Sequence, residues 1–201
     1  MLVPSQLRNN QPPQPPPCIP NNVGSVACEK QCKLCSLFLD SPQMIWSYHT
    51  EQTFNFRYKL SCKSRNVIYK IDDIVCKKSY IGSTVTGMSG RWNNHKSHIR
   101  KSVPSCELTS HFCTKSNGAH QFDKTCKIPE FDEILSKILK VTLIDQVEMD
   151  TGTSNAEILK KCKEREAYWQ NQLKTLTTSG GFNKRDARKE TKSYSSRTKT
   201  T

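Results

Sequence analysis

Residues 66–101 read NVIYKIDDIVCKKSYIGSTVTGMSGRWNNHKSHIRK. Two short β-branched runs, Val67 to Ile71 and Ser79 to Ser83, flank a polar stretch holding Asp72-Asp73 and Lys77-Lys78, so the pattern predicts a β-hairpin. Each run carries one tyrosine, Tyr69 and Tyr80. After a glycine-containing connection at Gly87 to Gly90 the period becomes helical, and Arg91, His95 and His98, at i, i+4 and i+7, share a face. Trp92 and Ile99 form the neighbouring face and give the helix something apolar to bury. Two phenols on paired strands beside a guanidinium and an imidazole suit a phosphodiester, because proton acceptors and a fixed cation come together.

In order and spacing, Ile68-Tyr69, then Tyr80-Ile81-Gly82, then Arg91 and His95 resemble the GIY-YIG nuclease superfamily, with Val67 standing at the first glycine of that name. The surrounding wording, CKSRNVIYKI, SYIGST and GRWNNHKSHI, is similar to the version carried by Penelope-like retroelements. The resemblance spans Cys62 to Asn183 and implies an α/β fold, a small three-stranded mixed sheet flanked by helices. It also implies metal-dependent endonucleolytic nicking of DNA. EREAYWQNQL followed by GGFN looks like the superfamily's metal-binding glutamate and closing asparagine, which fall here at Glu166 and Asn183. On that resemblance Glu166 holds Mg²⁺ (or Mn²⁺) against the scissile phosphate and the leaving 3′ oxygen, and Arg91 stabilises the phosphorane-like charge. Tyr69, with Tyr80 or His95 assisting, takes the proton of the attacking water, and spacing leaves the choice of base open. Asn183 orients a water or a backbone carbonyl.

The last helix is legible without any resemblance. Ser154 followed by Glu157 is a capping box, and Ile158, Cys162, Trp169, Leu173 and Leu176 make an apolar stripe that contains Glu166. A carboxylate on such a face is costly unless a cation sits beside it, either Arg91 or another arginine in a structural ion pair, or a metal. One carboxylate per ion is reasonable for Mg²⁺, which keeps most of its waters. Glu164, the competing carboxylate, is turned about 200 degrees away on the helix, toward solvent.

The chain has 201 residues, and its 31 Lys and Arg against 18 Asp and Glu give a formal charge of +13. That balance points to a polyanion, DNA first and RNA second, since neutralised phosphates dominate such affinity. A hydrophobic content of 34% and a mean hydropathy of -0.69 fit one core diluted by polar tails. No apolar run is long enough for a membrane span or a signal-peptide core, so the ten cysteines read as thiols and metal ligands rather than disulfides. Reverse transcriptases, to which mobile elements attach this nuclease, have no room in this length, so a fragment or stand-alone derivative is expected.

Four segments follow. Residues 1–22, with QPPQPPPCIP, are expected as a Pro-rich disordered arm, and 23–62 as a Cys-rich zinc module. In the module, Cys28, Cys32 and Cys35 need a fourth Zn²⁺ ligand, for which Cys62 is preferred over His49 and Cys18. Met44 to Trp46 and Phe54 to Tyr58 alternate as short strands whose aromatics pack the module rather than stack on bases. Residues 63–183 form the nuclease-like domain. Within it, Ser105 to Ile128 reads as a polar loop whose histidines and cysteines lack metal-ligand spacing and whose His111-Phe112 pair packs on the core. Similar retroelement sequences suggest His111 and His120 near the phosphate. Phe131, Ile134, Leu135 and Ile138 mark a helix, and Val141 to Val147 the third strand. Residues 184–201 are expected as a basic disordered tail, adding phosphate affinity or a nuclear-import signal, hence a nuclear location. A catalytically idle nucleic-acid-binding module and a protein-interaction adaptor are the competing classes.

Overall fold

The stretch between Asp72-Asp73 and Lys77-Lys78 does close a hairpin. In the computed structural model the strand β5, Val67–Asp73, returns antiparallel as β6, Lys78–Thr84, with Tyr69 opposite Gly82. The turn is set by Asp73, whose Oδ1 accepts the amides of Val75 at 3.0 Å and Cys76 at 2.8 Å, and by Lys77 in the left-handed region at φ 52°. The structure describes residues 23–28, 32–38, 44–113, 126–184, 186 and 187. The arm 1–22, Cys18, His120 and most of the basic tail lie outside the described residues.

Ahead of this hairpin come β1 (Gly24–Val26), β2 (Met44–Ser47), β3 (Thr50–Asn55) and β4 (Lys59–Ser61). After it follow α1 (Met88–Arg100), α2 (Glu107–Cys113), α3 (Ile128–Ile138), β7 (Leu139–Gln146) and α4 (Asn155–Gln172). The principal sheet has the order β6-β5-β7, with both ladders antiparallel, and a parallel bridge from Phe38 to Val141 on its far side. β1 joins β4 in parallel, and β2 and β3 form a second hairpin. The strand expected through Tyr58 ends at Asn55, because Phe56 turns inward to pack. The loop expected over Ser105 to Ile128 contains a helix, α2, whose seven residues are too few to show a period in the sequence.

Both faces of the sheet are covered. Val67, Tyr69, Ile71 and the β7 residues Leu139, Val141 and Leu143 pack with Trp92 and Ile99 of α1, Leu108 and Phe112 of α2, and Phe131 and Leu135 of α3. On the reverse face Ile68, Ile81 and Ile144 meet Trp169 of α4 and Leu173 at its C-cap, and Ile45 and Phe56 complete that cluster. The Cys-rich segment shares the first cluster through Cys28, Leu34, Leu37 and Cys62, and Ser25 Oγ exchanges hydrogen bonds with the backbone of Leu143. As the central strand, β5 is buried along its whole length, so its charges must be neutralised internally. Lys70 Nζ lies 2.6 Å from Asp72 Oδ2 and 4.3 Å from the centre of the Trp46 ring, while Ser79 donates to Asp72 Oδ1 at 2.6 Å. Among the described residues no helix is long and apolar enough to cross a membrane.

Candidate active site

The site is built around β6, because that strand is an edge where groups from the two faces of the sheet meet. Tyr69 extends over Gly82, its cross-strand partner, and a Cβ at Gly82 would overlap the Tyr69 ring and hydroxyl. The glycine is therefore a requirement of close approach. The first turn of α1 is tied down by Ser89, whose amide donates to Cys62 O at 3.3 Å. Two residues on, Arg91 Nε donates to Tyr69 Oη at 3.0 Å, and Tyr69 Oη lies 2.9 Å from His95 Nε2. Since the guanidinium only donates, the Tyr69 oxygen accepts from it and shares a second hydrogen bond with His95 Nε2. The other ring nitrogen, Nδ1, faces Cys106 Sγ at 3.8 Å.

Burial dominates the electrostatics here. It pushes the phenol of Tyr69 well above its ordinary range, opposed by Arg91, and does the same to Tyr80. Burial, with Arg91 beside it, lowers His95 to about 3. His95 is thus neutral beside Tyr69. A histidine that is neutral when folded contributes stability that is fully present above the unfolded value near 6.5 and is lost as pH falls toward 3. Between those limits, the pH slope of stability is expected to shrink by about 1.4 kcal/mol per pH unit in His95→Gln, measured by urea melts. An unchanged slope would place the missing proton elsewhere.

From the reverse face α4 brings Glu166 to the same edge. Its start is fixed as the sequence suggests, with Ser154 Oγ accepting the Glu157 amide. Glu166 is buried in the helix stripe; its Oε2 accepts from Ser83 Oγ at 2.5 Å and lies 3.1 Å from Lys163 Nζ. A cation within hydrogen-bond reach of it among the described residues is thus Lys163. Glu164 is exposed, as its position on the helix implied. Asn183 is buried and pairs with the backbone of Ile81 in both directions, Oδ1 accepting from N and Nδ2 donating to O, each at 2.9 Å. Its side chain thus caps the open edge of β6 as another strand would. Asn183→Ala leaves two buried backbone groups of Ile81 unpaired, and a destabilisation of about 2–3 kcal/mol is expected in chemical denaturation.

Tyr80, Arg91, Ser105, Cys106, Glu107, Lys163, Glu166, Gln170 and Asn183 line one cleft of about 220 Å³. Of the six residues singled out in the sequence, Tyr80, Arg91, Glu166 and Asn183 front it, and Tyr69 and His95 stand behind Arg91 and Tyr80. His111 is not in the cleft lining; it turns to Asp73 at 3.2 Å and to the Phe182 ring.

The four cysteines Cys28, Cys32, Cys35 and Cys62 form a second centre. Cys32 Sγ lies 3.6 Å from Cys35 Sγ and 3.4 Å from Cys62 Sγ, and Cys35 Sγ lies 3.7 Å from Cys28 Sγ. A tetrahedral ion with metal–sulfur bonds near 2.3 Å sets its ligands about 3.8 Å apart, so the cluster has the size for one. The Cys28 thiol is lowered to about 6, first by the Cys32 amide that donates to it, which favours the ligating thiolate. His49, the rival ligand, stands instead against Gly180. A third group was not legible: Asp73 and Cys76 of the hairpin turn and His111 of α2 bring ligand-type atoms within 4.8 Å of one another. They belong to elements separated by the whole of α1, and no local spacing reports them.

Two solved structures resemble this fold weakly. The catalytic domain of the homing endonuclease I-TevI matches with 18% identity and a TM-score of 0.38, over 60% of this chain and 98% of that one. A mutant catalytic domain of the intron endonuclease I-TevI matches with the same identity and TM-score, over 59% and 92% of the two chains. No protein-family model and no curated protein matches the chain.

Proposed function

We propose that this protein is a metal-dependent endonuclease that nicks DNA by phosphodiester hydrolysis, of the GIY-YIG type carried by Penelope-like retroelements. The reading rests on one observation: a phenol, a guanidinium and a carboxylate from β6, α1 and α4 line the same small cleft. Glu166 is the residue that would hold Mg²⁺ or Mn²⁺, and among the described residues Glu107 is the other carboxylate of the lining. That donor set suits an ion that takes its other ligands from water and phosphate. When bound, the ion supplies Lewis-acid stabilisation to the phosphate and the leaving 3′ oxygen.

The chain's own residues do the rest. Arg91, held from behind by Tyr69, keeps a fixed charge against the developing oxyanion and needs no reorganisation. Tyr80, at the cleft surface and held protonated by burial, orients the attacking water. Arg91 beside it lowers the cost of ionising that phenol, so that Tyr80, after giving its own proton to solvent, accepts the proton of the attacking water as phenolate. Tyr69 and His95 lock the guanidinium in place, and Asn183 keeps β6 straight beneath the site.

Zn²⁺ is the ion that suits the four sulfurs, as a closed structural site. The basic tail and the DNA target fit a nuclear location, with RNA as a second polyanion. The test is incubation of supercoiled plasmid with the purified chain: open circles are expected with Mg²⁺, none with EDTA, and recovery when Mg²⁺ is restored. Plasmid that is shifted in a gel but never nicked would support the binding-module reading. Partner binding insensitive to salt would support the adaptor.

A further inference from the structure

Glu166 is accompanied in the cleft by an ammonium that the reaction described above does not use. Lys163 precedes it by three residues on α4, on the same face, and its Nζ lies 3.1 Å from Oε2 and 3.4 Å from Oε1. The Lys163 side chain is 24% exposed where that of Glu166 is 5% exposed, so the lysine stands nearer the mouth. Among the described residues, the charged groups of the lining are Arg91 and Lys163 against Glu107 and Glu166. Without Lys163 these would leave two carboxylates and one guanidinium facing a polyanion. An i,i+3 ion pair that served only the helix would not have to open on this cleft. Another ion pair of α4, Glu157 with Lys161 at i,i+4, is half exposed, and neither residue lines the cleft.

We propose that Lys163 is a phosphate-contacting residue of the cleft, exchanging Glu166 for a nonbridging phosphate oxygen of the incoming strand. This rests on the nucleic-acid reading of the site. A compact ammonium on a flexible four-carbon stem makes such a swap readily, which a guanidinium locked at Nε, as Arg91 is, does not. The exchange draws Lys163 off Glu166 as the strand binds, so this ammonium leaves the group that would hold the divalent ion only in the presence of substrate.

The experiment is equilibrium binding of the full chain to a short DNA duplex in EDTA across a salt series, so that no cleavage is involved. Lys163→Met is expected to reduce the slope of log affinity against log salt by about 0.9, the loss of one phosphate contact. Lys161→Met, on the same helix, keeps the wild-type slope. Glu166→Gln is expected to raise affinity by releasing Lys163, and the gain disappears when Lys163→Met is added. Thermal melts of each variant confirm that the chain remains folded. A wild-type slope in Lys163→Met overturns the assignment while leaving the nucleic-acid reading intact. A wild-type protein without salt-dependent DNA affinity overturns both.

Discussion

Cys62→Ser is expected to lower the thermal midpoint by about 10–15 °C, the equivalent of about 3–5 kcal/mol in a chain of this size. Cys62 is buried, its sulfur is 3.4 Å from Cys32 Sγ, and its carbonyl receives the amide of Ser89 at the start of α1. Losing the fourth sulfur therefore does two things: it breaks a centre whose ion supplies folding free energy, and it loosens the turn that aims Arg91. Metal analysis should find about one Zn per wild-type chain and less in the variant. A strong zinc chelator should lower the wild-type midpoint and leave that of Cys62→Ser almost unmoved. Equal midpoints for both proteins, with and without chelator, would make the four cysteines a plain packed cluster.

Arg91→Ala is expected to cut nicking by about 10²–10³-fold with most of the loss in kcat, the usual cost of removing one preorganised donor to a developing oxyanion. Arg91→Lys should be nearly as impaired. A lysine that reaches Tyr69 has no second face to offer the phosphate, whereas the guanidinium spends Nε on Tyr69 and keeps its terminal nitrogens. DNA affinity should fall far less than rate in both variants. A loss confined to KM would instead make Arg91 an ordinary phosphate anchor.

The elements with a strong local signal were legible in the chain. The hairpin announced itself through two β-branched runs around Asp72-Asp73, the site helix through Arg91, Trp92, His95 and Ile99, and α4 through Ser154 and Glu157. Glu166 could be singled out because a carboxylate on an apolar stripe needs a reason. What escaped depended on neighbours far away in the chain. Nothing near Lys70 says that its strand is central, so its pairing with Asp72 beneath Trp46 appears only when the second hairpin covers it. Asp73, Cys76 and His111 meet across two elements, and the helix that carries His111 is too short to leave a period. Asn183 was expected at the site, but its bidentate grip on Ile81 follows from the open edge of β6, which only the strand order reveals.

The most direct measurement compares supercoiled-plasmid nicking in Mg²⁺ by the wild type, Glu166→Ala and Glu164→Ala, with gel shifts on the same samples. The two carboxylates are near neighbours on α4, but Glu166 lines the cleft and Glu164 is exposed outside it. The expected result is wild-type nicking by Glu164→Ala and at least about 10³-fold less by Glu166→Ala, with DNA still bound by all three. Glu166→Ala nicking at the wild-type rate would contradict the account, because the carboxylate that completes the site would then have no part in cleavage.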